Sequence, residues 1–289
     1  MPVVVLEARD CVSPLFLVRM WALLCGCLTF SLVASLEHWQ PHDQLNTFWV
    51  TYMFTWCFFF TLTLLIHILN VLRFHSLLPI SWKNMTVTVA ALGALMTFSA
   101  SVLFSWTVMN YRPLYKPLAA AVASCLTVLA YCSEVWVIRR QTREQRGYMA
   151  SLPGFLKILQ CWGGCQMIPL FMVRLAEPDW QLWLSVGLCN VCLLMSLASI
   201  TVILCDCTGR CPFPFDRLLA AFSLLGVVLY MIATVISVTN VLLFNKIVVL
   251  GPLRFELAIM ETVIVSITLL AYTVDFSISI KLLCERVHG

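Results

Sequence analysis

The sequence predicts an all-α membrane protein of eight transmembrane helices, arranged as two tandem four-helix bundles with both termini in the cytoplasm. Of the 289 residues, 61% are hydrophobic and 11% are charged, against about 45–50% and roughly 25% in soluble domains. The apolar residues fall in continuous runs, and several sequence features recur in the second half of the chain. A single soluble domain, a disordered chain and a disulfide-stapled secreted module are therefore excluded.

Eight apolar runs have the length of about 20 residues that carries a helix across about 30 Å of hydrocarbon. They are continuous rather than alternating, and backbone groups in lipid must be satisfied within the span, so helices are predicted rather than a barrel. The predicted spans are residues 15–36, 48–69, 85–106, 117–138, 152–173, 183–204, 216–239 and 256–280. The connections are too short to fold alone.

The orientation follows from the Lys and Arg residues. Of the 18 such residues, thirteen lie at the termini, in the even-numbered loops or at the adjoining span ends. The other side of the membrane carries the remaining five, which are Arg112, Lys116, Arg174, Lys246 and Arg254. The excess of basic residues predicts that both termini are cytoplasmic.

Three features of the first half return in order in the second. Pro14 and Pro153 precede Phe-Leu and a basic residue, Pro79 and Pro214 precede the third and seventh spans, and the motif Ala-Tyr-x-x-acid ends the fourth and eighth spans at Tyr131 and Tyr272. The separations are 139, 135 and 141 residues. Because each copy holds an even number of spans, the two copies are predicted to share one orientation.

The predicted organisation has five parts. A cytoplasmic N-terminus covers residues 1–14 and a cytoplasmic C-terminus covers residues 284–289. The two four-span domains are residues 15–138 and 152–283, joined by a basic cytoplasmic linker at 139–151. Short connections favour an up-down-up-down bundle, in which the first and last helices are neighbours.

Four ionisable side chains lie inside the spans near their cytoplasmic ends: Arg19, Glu134, Lys157 and Asp275. Charged groups in a membrane span are costly and usually functional. If the first and last helices of each bundle are neighbours, Arg19 lies at the depth of Glu134, and Lys157 at the depth of Asp275. We expect intramembrane ion pairs there, the alternative being that each side chain extends to the interface.

Glu261, near the outer end of the eighth span, has no evident basic twin in the other half. It supports the alternative function of a small transporter or channel built from parallel four-span repeats, in which it would be a proton or cation site. The structural alternative is an acid near a helix start, stabilised by the helix dipole or reaching the interface.

The cysteines favour a cytoplasmic acylation site. None of the 14 falls in a predicted outer loop, so no outside disulfide is expected. Juxtamembrane Cys205, Cys207, Cys211 and Cys284 are candidates for palmitoylation. Zinc binding is the weaker alternative for the first three, because their spacing matches no standard ligand pair. No cofactor or metal is predicted.

Two further features concern lipid and protein contacts. The linker arginines Arg139, Arg140, Arg143 and Arg146 are candidates for contact with anionic lipid. Small residues in two spans predict close helix contacts within the chain, between copies of it or with other membrane proteins. They include Ala119, Ala120, Ala123 and Ser124 of the fourth span and Ala90, Ala94, Ser99 and Ser101 of the third.

Two further local features can be read from the sequence. Gly163-Gly164 predicts an interruption of the fifth helix. Asn84-Met-Thr86 is a glycosylation sequon, silent because it is predicted cytoplasmic.

Several function classes find no support in the residues. A net charge of +4 without a basic stripe argues against nucleic-acid binding. No Gly-x-Ser-x-Gly, His-Glu-x-x-His or Walker loop is present, and no enzyme activity is predicted.

Five short stretches spread along the chain match the sequence pattern of a known family. They are residues 30–35 (FSLVAS), 54–57 (FTWC), 79–84 (PISWKN), 147–154 (GYMASLPG) and 269–272 (LLAY). In these stretches the chain resembles the myeloid-associated differentiation marker family, whose members hold two MARVEL domains of four spans each. The resemblance implies two MARVEL-like bundles and a non-enzymatic role in organising cholesterol-rich membrane, in vesicle traffic or in membrane apposition. It implies a multi-pass protein of the plasma membrane or of secretory and endosomal vesicles, with membrane lipids, including cholesterol, among its partners.

Overall fold

The structure is a computed structural model in which residues 13–36, 43–72, 74, 79–111, 115–140, 147–174, 180–206, 214–246 and 252–288 are described. These ranges contain eight α-helices and no β-strand. The helices are α1 (Pro14–Ala34), α2 (Asp43–Val71), α3 (Trp82–Tyr111), α4 (Tyr115–Arg140), α5 (Leu152–Arg174), α6 (Trp180–Leu204), α7 (Phe215–Lys246) and α8 (Pro252–His288).

All eight helices are long and apolar enough to cross a membrane, which confirms the predicted all-α, multi-pass class. Most are longer than the apolar runs that predicted them. The largest difference is in α8, which continues for 37 residues to His288, whereas the apolar run ends at residue 280. Helical hydrogen bonding continues into the polar flank because it needs no apolar side chains, so Cys284 lies on this helix rather than in a tail.

Local sequence explains how two of the helices begin. Ser13 is the N-cap of α1, and its hydroxyl accepts a hydrogen bond from the backbone N–H of Phe16 at 3.3 Å. Pro14 occupies the first helical position, where its missing N–H has no partner to lose. Pro252 begins α8 in the same way.

The chain divides into two compact units, Met1–Ser151 and Leu152–Gly289. In the first, α1 packs against α2 and α4, and α3 packs against the same two helices, so the four form a closed ring of neighbours. The core includes Ala22, Phe59, Ala130 and Tyr131. The small residues Ala120, Ala123 and Ser124 of α4 are buried inside this unit, whereas Ala119 is exposed.

The end of the predicted linker belongs to the first unit. A short 3₁₀ helix, Tyr148–Ala150, packs against α3. The buried side chain of Asn84 accepts a hydrogen bond from the backbone N–H of Met149 at 3.1 Å. Gly147 lies against the same side chain, where a Cβ atom has no room. Asn84, the asparagine of the sequon, thus serves as a cap for this segment.

The second unit has the same ring of neighbours, in which α5 packs against α6 and α8, and α7 packs against α6 and α8. The predicted interruption of the fifth helix is wrong, because α5 is continuous through Gly163, Gly164 and Pro169. The two glycines serve packing. A Cβ atom at Gly163 would collide with Thr268 of α8, and one at Gly164 would collide with Leu193 of α6.

Candidate functional site: buried ion pairs and exposed helix ends

An ion pair joins the first and last helices of the first unit. Arg19 Nε of α1 donates to Glu134 Oε1 of α4 at 2.6 Å, and the two residues are 2% and 3% exposed. Arg19 lies one to two turns after the start of its helix, and Glu134 lies at a similar distance before the end of its own. The structure therefore brings these two predicted residues together in the interior, and neither extends to the interface.

The corresponding ion pair of the second unit is part of a larger cluster of polar side chains. Lys157 Nζ of α5 donates to Asp275 Oδ2 of α8 at 2.5 Å and to the hydroxyl of Ser223 of α7 at 3.0 Å. The hydroxyl of Ser223 and the amide of Gln160 also donate to Asp275 Oδ2. All four residues are buried, so the cluster ties α5, α7 and α8 at one depth.

A third ion pair, between Arg174 and Glu261, was missed by the sequence analysis. Arg174 Nη1, at the end of α5, donates to Glu261 Oε2 of α8 at 2.6 Å, and the hydroxyl of Ser237 donates to Glu261 Oε1 at 2.8 Å. Glu261 is 2% exposed, so its carboxylate is buried on a base of its own unit and does not reach the interface, which was the structural alternative for this acid. The signal was present, since both residues lie at outer ends of helices predicted to be neighbours.

The pairing of Glu261 bears on the transporter alternative. The acids of ion and proton pathways face a water-filled cavity or belong to a relay of ionisable groups. Both oxygens of Glu261 are engaged by side chains of its own unit, and the residue is buried. The structure thus offers no specific observation in favour of transport at this acid.

Two tyrosines occupy equivalent places in the two units. The hydroxyl of Tyr131 lies 2.8 Å from the hydroxyl of Thr63 and donates to the Phe59 carbonyl at 3.0 Å. The hydroxyl of Tyr272 lies 2.7 Å from that of Ser196 and donates to the Cys192 carbonyl at 3.2 Å. In both cases the hydroxyl partner follows the carbonyl partner by four residues on the second helix of the unit.

Glycine makes room for each tyrosine ring. A Cβ atom at Gly93 of α3 would lie 3.2 Å from the Tyr131 ring, and one at Gly226 of α7 would collide with the Tyr272 ring. The Ala-Tyr-x-x-acid motif therefore places a tyrosine and an acid on the inner face of the last helix, three residues apart. In the sequence the motif marks the repeat, but nothing in it indicates which residues the tyrosine contacts.

Two of the four candidate acylation cysteines are described. Cys205 follows α6 and Cys284 lies on the last turns of α8, and both are exposed. Lys157 meets Asp275 and Arg174 meets Glu261, so α5 and α8 are antiparallel. A short connection reverses the chain between α5 and α6, so α6 and α8 run in the same direction. Both thiols are thus at one end of the unit, the end that holds Lys157 and Asp275. Cys207 and Cys211 lie outside the described residues.

Two of the four arginines that are candidates for lipid contact are described. Arg139 and Arg140 are exposed at the end of α4. The guanidinium of Arg140 lies 3.8 Å above the ring of Trp136, and Arg139 Nε donates to the Ala150 carbonyl at 3.4 Å. Arg143 and Arg146 lie outside the described residues. Among the described residues, no three His, Cys, Asp or Glu side chains are grouped so as to hold a metal ion.

Comparison with known proteins places the chain. The myeloid-associated differentiation marker of Rattus norvegicus is 34% identical over 80% of this chain and 72% of its own length. This chain belongs to the myeloid-associated differentiation marker family. The human marker is 33% identical over 81% of this chain and 73% of its own length. The marker-like protein 2 of Rattus norvegicus is 31% identical over 78% and 75%.

No family model matches the chain, and no solved structure matches it. Membership of the family therefore rests on these relatives, and it confirms the resemblance drawn from residues 30–35, 54–57, 79–84, 147–154 and 269–272. The names of the relatives describe differentiation markers rather than enzymes.

Proposed function

We propose that this protein is a non-enzymatic membrane-organising protein of ordered, cholesterol-rich membrane. It acts in membrane-domain organisation, trafficking or membrane apposition, at the plasma membrane or in secretory and endosomal vesicles. Its partners are membrane lipids, including cholesterol, and other membrane proteins or further copies of itself. Family membership supports this proposal at the level of a multi-pass membrane protein. The apolar helix faces and the exposed helix ends support the finer role.

The observation that carries the proposal is the separation of polar interior from apolar exterior. The three buried acids Glu134, Asp275 and Glu261 are each bonded to a base of the same unit. The outward faces carry large aliphatic side chains, such as Leu24, Leu194 and Leu270, each about two-thirds exposed. A protein built in this way meets its surroundings through lipid-facing helix surfaces, which suits lateral organisation of membrane rather than chemistry at a pocket.

The helix ends supply a second line of support. Exposed Cys205 and Cys284 stand at one end of the second unit, where acyl chains would add saturated hydrocarbon and favour ordered lipid. Exposed Arg139 and Arg140 stand at the end of α4. Basic residues near an anionic surface contribute about 1 kcal/mol each, and Trp136 beneath Arg140 is an aromatic of the kind enriched at membrane interfaces.

The test is the distribution of the full-length protein in giant plasma-membrane vesicles that separate into ordered and disordered phases. The wild-type protein is expected to enrich in the ordered phase, and acyl-exchange labelling is expected to detect modified cysteines. The Cys205→Ser/Cys207→Ser/Cys211→Ser/Cys284→Ser variant should lose the label and shift toward the disordered phase.

The matched control is Cys27→Ser/Cys125→Ser, which removes two exposed cysteines within helices α1 and α4. This variant should keep both label and distribution. Exclusion of the wild-type protein from ordered phase, together with unchanged distribution of the quadruple variant, would contradict the proposed role.

A further inference from the structure

Asn190 is an amide exposed to the bilayer near the middle of α6. It lies ten residues after Trp180 and fourteen before Leu204, or about 15 Å and about 21 Å from the helix ends at 1.5 Å per residue. Its side chain is exposed. Within the described part of the chain it makes no hydrogen bond to another residue, because the surrounding positions of α6 turn apolar groups toward the same side.

Other polar residues on outward helix faces find a hydrogen-bond partner within their own helix. Thr61 donates to the Cys57 carbonyl, Thr201 to the Leu197 carbonyl and Thr273 to the Leu269 carbonyl, each one turn back along its own helix at 2.8 Å. A hydroxyl can do this, whereas an amide has two donors and two acceptor lone pairs and cannot satisfy them that way. In hydrocarbon no water replaces the missing partners.

Asn190 lies on a seam that has the spacing of a helix-pairing surface. Six outward positions follow one another at intervals of four and three residues, and all are exposed: Trp183, Gly187, Asn190, Leu194, Leu197 and Thr201. This is the alternation of core positions in paired helices. Gly187 lies one turn before the amide. Apart from its chain neighbours and the backbone of its own helix, no atom lies within 4 Å of the position of a Cβ there, so a second backbone can approach closely.

We propose that the α6 seam is a self-association surface, on which a second copy of this chain docks with its own α6. Copies in one membrane share a topology, so their α6 helices run parallel when related by a two-fold axis along the membrane normal. Asn190 of one copy then meets Asn190 of the other at the same depth. Two facing amides are complementary, since the NH₂ group of each can donate to the carbonyl oxygen of the other.

The pairing of the two Asn190 amides is the reason to assign a second copy of this chain to the α6 seam. In an otherwise apolar seam, one asparagine at a core position sets the register of the pair and the number of helices in it. A sterol hydroxyl lies near the membrane surface, about 15 Å from Asn190 along the helix, so a sterol does not supply the missing bonds. The hydroxyl of Thr201 is already bonded within α6, which leaves Asn190 to define the register.

This inference names a partner for the organising role proposed above and rests on that role only for its biological meaning. Self-association is measured directly, whereas the organising role is measured by distribution between lipid phases. A protein that enriches in ordered membrane but stays monomeric would overturn the inference alone. A protein that pairs through α6 but avoids ordered membrane would overturn the organising role alone.

The test uses the full chain, labelled in two colours and reconstituted in phosphatidylcholine vesicles over a range of lipid-to-protein ratios. Energy transfer between the labels reports pairing. The Asn190→Leu variant should raise the dissociation constant about 3- to 30-fold, which is the effect of an interhelical hydrogen bond worth about 0.6–2 kcal/mol. Asn190→Gln should retain much of the pairing, and Gly187→Leu should weaken it by keeping the backbones apart.

Thr273→Leu is the matched control, because it removes an outward polar group from α8 without touching the seam. It should leave pairing unchanged. Three results would overturn the inference: a wild-type protein that remains monomeric, pairing that is insensitive to Asn190→Leu, or a lower thermal stability of monomeric Asn190→Leu. The last result would mean that the amide is bonded within its own chain.

Discussion

Arg174 and Glu261 form a buried ion pair at one end of the second unit, while Lys157 and Asp275 form another toward the opposite end of the same two helices. Along α5 the two bases are seventeen residues apart, or about 25 Å. The antiparallel pair α5–α8 is thus joined by ionic contacts near both membrane surfaces. In the first unit, the ion pair of Arg19 and Glu134 lies at the end that corresponds to Lys157 and Asp275 of the second unit.

Removal of one partner from the outer pair should destabilise the second unit. Arg174→Met leaves Glu261 buried without its base, and breaking a buried pair in this way costs about 3–5 kcal/mol. Replacing both residues, as Arg174→Met/Glu261→Met, should recover most of the loss because no charge remains buried. Thermal unfolding in nanodiscs measures both effects. An equal loss in the single and double variants would show that the pair is not the cause.

Glu261→Gln separates the structural role of this acid from a transport role. The substitution should lower stability, since Arg174 loses its counter-charge, while leaving proteoliposome flux of protons or sodium ions at the level of empty vesicles, as in the wild-type protein. A wild-type flux that falls on this substitution would revive the transporter alternative.

Charge exchange tests the pair of the first unit. Glu134→Lys places a second cation beside Arg19 and should lower the unfolding temperature sharply or prevent folding. Adding Arg19→Glu restores opposite charges at the same two positions and should recover part of the stability. Lys281→Ala is the matched control, because Lys281 and Glu285 form an exposed pair at 3.9 Å, and such pairs contribute about 0–1 kcal/mol.

The two tyrosine hydroxyls should contribute equally. Tyr131→Phe removes the bonds to Thr63 and the Phe59 carbonyl, and Tyr272→Phe removes their equivalents in the second unit. Each should cost about 0.5–1.5 kcal/mol of unfolding free energy, whereas Tyr115→Phe, at an exposed position, should cost nothing measurable. A large difference between the first two variants would mean that the equivalent contacts are not energetically equivalent.

Glycines that face another helix should not tolerate a methyl group. Gly226→Ala pushes a Cβ into the Tyr272 ring, which its hydroxyl bonds hold in place, and overpacking of this kind costs about 1–3 kcal/mol. Gly26→Ala is the control, because its Cβ would meet only ordinary contacts at 3.8 Å with Phe60. That variant should unfold at the wild-type temperature or above, since alanine favours helix.

The span count was predictable because lipid imposes it. Each helix must bring about 20 apolar residues, so hydropathy alone identifies all eight. The matching depths of Arg19 with Glu134 and of Lys157 with Asp275 were readable because the charges recur in both halves. Asn84 could not be assigned its role, since its partner, the backbone N–H of Met149, is 65 residues away and carries no sequence signal.

Other contacts escaped prediction for similar physical reasons. Arg174 and Glu261 have no equivalent charged residues in the first half of the sequence, so comparison of the two halves did not identify them. Thr63 and Ser196 are two among many hydroxyl residues in the spans, and most of those bond to their own helix. Gly163 and Gly164 were read as an interruption because glycine disfavours helices, but the close approach of α8 and α6 outweighs that intrinsic preference.

The ionic contacts also set an order of events during biosynthesis. Arg19 is made 115 residues before Glu134, and Lys157 precedes Asp275 by 118. At a synthesis rate of about 5–20 residues per second, each basic residue is made about 6–24 s before its acidic partner. During that interval the newly inserted helix carries a cation without its counter-charge, and a long basic side chain near a helix end can then extend toward the interface. A chain that ends before Asp275 would keep Lys157 inside its span without a counter-charge, where an unpaired buried charge is strongly destabilising.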